Sequence, residues 1–142
     1  MQISNPGFGI EDASYQAAGG FTGIINLVDR FYGHMDTLES AQTIREMHPK
    51  NLEESKDKLA RFLSGWLGGP KRYREKYGSI RLPMAHLPFP IGADERDAWL
   101  FCMEKALEDC DYAPAFKAYL MNQLAIPAER IRQVGTAKRQ SS

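Results

Sequence analysis

Apolar residues recur at helical intervals along four stretches of the chain. Phe21, Ile24, Ile25, Val28, Phe31, Tyr32 and Met35 form one stripe, which predicts an amphipathic helix ending near Asp36-Thr37. Ahead of it, Gly19-Gly20 breaks the chain, so residues 1–18 read as an irregular arm with room for a short helix across residues 10–17. Ala41, Ile44, Arg45 and Met47 suggest a short helix that must stop before Pro49, because the residue before proline avoids the α region. That residue is His48, which is thereby held at a corner.

The second stripe lies in residues 52–67. Ser55, Leu59, Phe62, Leu63 and Trp66 share one face, and Glu53, Lys56, Asp57, Lys58 and Arg61 cover the other. Gly68-Gly69-Pro70 stops this helix, glycine as its left-handed cap and proline as a block to continuation. Residues 71–78 then read as a basic connector with two tyrosines. A third stripe runs through Glu95, Trp99, Cys102, Met103, Ala106, Leu107 and Cys110, and a fourth through Phe116, Tyr119, Leu120, Gln123 and Leu124 after Pro114. Pro127 is expected to interrupt this last helix, leaving a short turn over residues 128–134 and a polar tail over residues 135–142. No stretch alternates as a strand does, so the fold class is all-α.

Between the second and third stripes, Pro83, Pro88 and Pro90 forbid a long regular helix, and a single histidine, His86, stands among them. Met84, Leu87, Phe89 and Ile91 make its surroundings apolar, and the next helix starts near Ala93-Asp94-Glu95, with acids in its first turn. A lone histidine is more often a core residue bonded to a backbone carbonyl. Burial nevertheless keeps an imidazole neutral, with its lone pair available to a metal. One histidine with no carboxylate or thiol beside it fails as a zinc or non-haem iron site. It suffices for haem, where the porphyrin supplies four ligands.

Tyr32, His48 and Trp99 are candidates for the opposite side of such a ring. Aromatic residues on apolar stripes usually serve the core, but each of these carries a polar hydrogen that needs a partner when buried. Hydrogen bonds to a charged ligand are worth about 1.5–3 kcal/mol, enough to slow its release by about tenfold or more.

Composition narrows the options. The chain has 142 residues, 43% hydrophobic and 25% charged, as expected of one globular domain. Eighteen basic and eighteen acidic residues cancel, so no overall field favours nucleic acid or anionic lipid. No apolar run reaches membrane-spanning length and no leader pattern opens the chain, so the expected location is the cytoplasm. Cys102 and Cys110, eight residues apart on one predicted helix, stand ~12 Å apart, too far for a disulfide. Gly68-Gly69-Pro70-Lys71 lacks the strand and the Gly-Lys-Ser/Thr ending of a phosphate loop. His34 falls on the exposed face of its helix and receives no role.

Taken in order, Phe31-Tyr32, Met47-His48-Pro49, Phe62-Leu63, Gly68-Gly69-Pro70 with Tyr73, His86 with Pro88-Phe89, and residues 95–100 with Cys102-Met103 resemble the group II truncated haemoglobins. The resemblance runs from about Gly19 to Leu124. It implies a globin-like, truncated two-over-two helical sandwich around haem b (iron protoporphyrin IX), with an arm at 1–18, the globin domain at 19–134 and the tail at 135–142. By position, His86 matches the proximal iron ligand, Tyr32 and Trp99 match distal hydrogen-bond donors, and His48 matches a distal corner residue. Ser55 falls where many globins place a distal histidine. Leu59, Phe62, Leu63, Met84, Phe89, Ile91 and Met103 become haem-wall candidates. Some relatives have arginine just before the proximal histidine, where this chain has Ala85, so Lys71, Arg72, Tyr73, Tyr77 and Arg81 are the candidates to meet the propionates.

The resemblance implies binding of dioxygen, nitric oxide or other diatomic ligands, with slow dioxygen release. That suits redox detoxification or sensing better than bulk transport. Nitric oxide dioxygenase or peroxidase-like turnover would require an electron donor, which the sequence does not name. No nucleic-acid or membrane partner is expected, and the chain would act as a monomer or homodimer. The competing reading is a haem-free helical protein-interaction module whose aromatic stripes are only core.

Overall fold

A computed structural model describes residues 8–79 and 91–141, with side chains described as far as residue 134. The helices are α1 (Ala13–Ala17), α2 (Gly20–Thr37), α3 (Gln42–Glu46), α4 (Glu53–Trp66), α5 (Arg72–Tyr77), α6 (Ala93–Glu108) and α7 (Pro114–Ser141), with a 3₁₀ turn at Glu39–Ala41. No strand occurs among the described residues, and none of their helices is long and apolar enough to cross a membrane.

Helix α2 organises the rest. Ile24, Leu27, Val28, Phe31, Tyr32 and Met35 are buried at intervals of three and four, a stripe wide enough to meet two partners. One side packs on α4 and the other on α6, and α6 packs on α7. Helices α4 and α6 make no comparable contact with each other. The result is two pairs of helices in two layers, joined through α2. Ile25, expected in the stripe, is 43% exposed at its margin, and Leu27 takes the buried position. His34 lies only partly in solvent and pairs with Asp109 at 2.6 Å, so it ties α2 to the end of α6.

Three segments depart from the sequence reading. Residues 71–78, expected as a connector, contain the helix α5, held to α4 by side-chain bonds to Asp57. Pro127 does not end α7, which continues to Ser141. Proline removes one amide donor there, but Glu129 binds both Arg96 of α6 and Arg132, anchoring the helix beyond the proline. Residues 8–18 are packed rather than loose: the Tyr15 amide donates to the Leu67 carbonyl at 3.0 Å, and the Phe8 ring meets Phe116 and Tyr119. Helix α6 starts where expected, with the Gly92 amide bonded to Glu95 Oε1 at 2.7 Å. Cys102 and Cys110 are free and buried, and Cys110 lies just past the end of α6.

The docking of α1 depends on Gly68. Its φ is +92°, and an added Cβ would stand 2.0 Å from the Glu11 carbonyl oxygen. Alanine there must adopt a left-handed conformation and displace backbone, so Gly68→Ala should cost at least about 2 kcal/mol. Gly33, in the middle of α2 with nothing within 4 Å, is the contrast: Gly33→Ala should gain about 0.5–1 kcal/mol. Denaturant unfolding of the two variants should therefore shift in opposite directions.

Candidate functional site

Helix α2 carries Tyr32 into the core. Its ring lies edge-on to Phe31 at 4.9 Å and edge-on to His48 at 5.7 Å between centroids. Trp99, near the start of α6, meets the same Phe31 ring at 4.9 Å. Phe31 is thus the common contact of Tyr32 and Trp99, and His48 closes the group from the corner after α3. Burial pushes the Tyr32 phenol well above its ordinary pKa, so it stays protonated and able to donate. No hydrogen bond joins its hydroxyl to the described residues.

The corner is held by a residue that patterning assigned only to a short helix. Arg45 pairs with Asp36 through Nε and donates to the carbonyls of Pro49 and Lys50 at 3.0 Å each. His48 Nδ1 donates to the Ile44 carbonyl at 2.8 Å, which fixes the ring at the corner. Arg45 had no signal in the apolar pattern, because it acts on backbone oxygens that a proline stop exposes.

A second feature lies between α4 and the segment that follows it. Phe62 and Trp66 stack at 6.2 Å, and together with Arg61, Lys71, Tyr73 and Arg74 they line a cleft of about 310 Å³. Its inner wall is aromatic and its rim basic. Asp57 sets the rim: it accepts from Arg61 at 2.8 Å, from Lys76 at 2.8 Å and from the Tyr77 hydroxyl at 2.6 Å. These donors hold its carboxyl well below the usual range. Asp57 read as one more solvated charge on α4; only the fold shows that it fastens α5.

The other predicted residues divide by position. Tyr73 lies in the cleft beside exposed Lys71, and Tyr77 spends its hydroxyl on Asp57. Arg72 stacks on Phe21 at 4.4 Å, with its Nε buried and lacking a hydrogen-bond partner. Leu63 and Met103 are fully buried, whereas Ser55, Leu59, Phe62 and Ile91 are half-buried. His86, Met84, Phe89, Ala85 and Arg81 lie outside the described residues. Arg74 joins the cleft without having been anticipated, being one of several cations in a charged run.

A sequence model of the family described as bacterial-like globin matches residues 13–132. The chain is 33% identical over 131 residues to the group 2 truncated hemoglobin YjbI of Bacillus subtilis, covering 92% of this chain and 96% of that protein. The chain belongs to the group II truncated haemoglobins. Its structure is similar to that of a cold-adapted truncated hemoglobin from Pseudoalteromonas haloplanktis, with a TM-score of 0.80 and 36% identity over 83% of this chain and 95% of that one. It is also similar to a truncated oxygen-avid haemoglobin from Bacillus subtilis, with a TM-score of 0.76 and 33% identity over 84% of this chain and 98% of that one. Truncated haemoglobins bind diatomic gases such as dioxygen at a haem iron, and this chain shares that property of its family.

The residues present fit such a group. A flat apolar macrocycle with two carboxylates suits an aromatic wall with a basic rim, and the unpartnered Arg72 Nε is a buried donor awaiting an acceptor. No cluster of three or more His, Cys, Asp or Glu that could hold a bare metal ion occurs among the described residues.

Asp57 gives a test of how the rim is held. Its carboxyl is depressed in the folded state, so an unfolded chain takes up that proton first as the pH falls. The stabilisation is complete above the ordinary carboxylate range and is lost below about pH 4. Asp57→Asn should lower Tm by about 2–4 °C at pH 7, on the order of 1 kcal/mol once solvent screening is allowed for. The gap to the wild type should narrow as thermal melts are taken toward pH 3.

Proposed function

We propose that the chain holds haem b with His86 as the proximal iron ligand, and retains bound dioxygen through Tyr32, with Trp99 and His48 in support. Leu59, Phe62, Leu63, Met84, Phe89, Ile91 and Met103 would form the wall. Lys71, Arg72, Tyr73 and Arg81 would meet the propionates, with Tyr77 acting through Asp57. The observation that carries this reading is Tyr32: its side chain is buried in the core, burial keeps its phenol protonated, and no hydrogen bond joins its hydroxyl to the described residues. A phenol that does not spend its proton within the fold can donate it to a bound ligand. Family membership favours this over a haem-free interaction module.

Haem iron, when bound, supplies a site at which a diatomic ligand gains electron density. Tyr32 then donates one hydrogen bond to that ligand. Trp99 fixes the Phe31 ring against which Tyr32 leans. His48, edge-on to the Tyr32 ring from the corner, keeps Tyr32 from turning away. Such holding favours consumption of the ligand over its delivery. The concrete reaction is nitric oxide dioxygenation, in which nitric oxide, dioxygen and one electron give nitrate. Peroxidase-like turnover and sensing are the other uses of the same site. The relative from Bacillus subtilis described as oxygen-avid supports the retention half of this reading.

Tyr32→Phe should raise the dioxygen dissociation rate by about ten- to a hundredfold, measured by stopped-flow displacement with carbon monoxide. An unchanged rate would show that Tyr32 does not hold the ligand. Wild-type release should stay flat from pH 5 to 9, because the phenol does not ionise there. His86→Ala, reconstituted with haem, should lose the sharp absorption of an axially ligated iron; its persistence would assign the proximal ligand elsewhere.

A further inference from the structure

We infer that the basic face formed by α4 and α5 around the cleft is the docking surface for an acidic one-electron donor protein. The inference rests on the haem reading above and supplies the partner which that reading needs. Each nitrate formed consumes one electron, and the described part of the chain offers no redox centre of its own.

The charge distribution is the first observation. Residues 57–79 contain Lys58, Arg61, Lys71, Arg72, Arg74 and Lys76 against only Asp57 and Glu75. The whole chain is balanced at eighteen of each sign, so the remaining residues carry an acidic excess of four. Two of these cations, Arg61 and Arg72, both lie over the Phe21 ring at the start of α2. A local cationic excess of this kind steers an acidic partner toward the cleft before contact, which raises encounter rates about 10- to 1000-fold at low salt.

Availability of the cations is the second observation. Arg74 is exposed, and the Lys58 side chain is 44% exposed; the Lys76 side chain is 50% exposed even while bonded to Asp57. Lys58 lies over the Tyr77 ring at 5.3 Å and pairs with solvent-facing Glu54 at 3.1 Å, and such exposed ion pairs are weak enough to exchange for a partner's carboxylate. Between the cations lies the cleft lined by Phe62, Trp66 and Tyr73, which on the haem reading the haem itself fills, so the cations ring the group that receives the electron. The patch is small, which suits a transient redox encounter rather than a permanent complex. Glu54, Asp57 and Glu75 interleave with the cations and break the continuous positive track that a nucleic-acid backbone requires.

The electron step balances without a proton. A flavin hydroquinone anion loses one electron to become the neutral radical, and ferric haem iron becomes ferrous. The test uses the full haem-loaded chain and a reduced acidic flavodoxin, followed anaerobically by stopped flow. The bimolecular rate should fall at least about tenfold between low and high salt. Lys58→Glu/Arg74→Glu should lower it at least about tenfold at low salt, Lys58→Gln/Arg74→Gln by less, and Lys105→Glu on α6 by under about twofold. Calorimetric titration with oxidised flavodoxin, a readout independent of electron transfer, should lose affinity in the same order. Three results would overturn the proposal: equal loss in Lys105→Glu, absence of any salt dependence, or tighter binding of a DNA duplex than of flavodoxin to this face. A wild-type chain that shows no haem absorption would instead overturn the reading beneath it.

Discussion

Phe31 is the contact on which both halves of the molecule depend. It is fully buried on α2, touches Tyr32 on its own helix, and receives Trp99 from α6 across the layer boundary. Helix α2 therefore packs on two neighbours that barely meet each other, and its aromatic residues form the floor between them. A core closed completely over this floor would bury more apolar area. This chain instead places a phenol there that has no hydrogen-bond partner among the described residues. Natural folds break their own rules mainly where function requires it.

The stripes that build the layers were legible because the periodicity of a buried helix is written in its apolar positions. Tyr32, Trp99 and His48 were legible as candidates because each puts a polar atom on such a stripe or at a proline stop. Helix α5 was not, because Arg72–Tyr77 has no apolar period and owes its place to a carboxylate in another helix. Pro127 misled for a related reason: the contacts that carry α7 through it, Arg96 to Glu129 to Arg132, are long-range and polar. The proposed surroundings of the iron rest on the order of motifs along the chain, and His86 itself lies outside the described residues.

Charge does two jobs on the α4–α5 face. Asp57 gathers three donors from α4 and α5, and this fixes the rim of the cleft. One carboxylate satisfies that requirement, so Lys71 and Arg74 stay exposed. A more thoroughly paired surface would hold α5 as well but would present no net field. The excess of cations over what the fold needs gives a neutral chain one locally basic segment.

On the proposed reading, tight holding and rapid chemistry do not conflict. A hydrogen bond of about 1.5–3 kcal/mol slows escape of a ligand by about ten- to a hundredfold, which would cripple a carrier. It does not slow a reaction that consumes the ligand in place, because that reaction does not pass through dissociation. The limiting supply then becomes the electron rather than the gas. The distal donors and the basic face answer two parts of one kinetic requirement: the first lengthens the time a ligand waits, and the second shortens the time before an electron arrives. They lie on different elements, Tyr32 and Trp99 on α2 and α6 and the cations on α4 and α5, so each can change without disturbing the other.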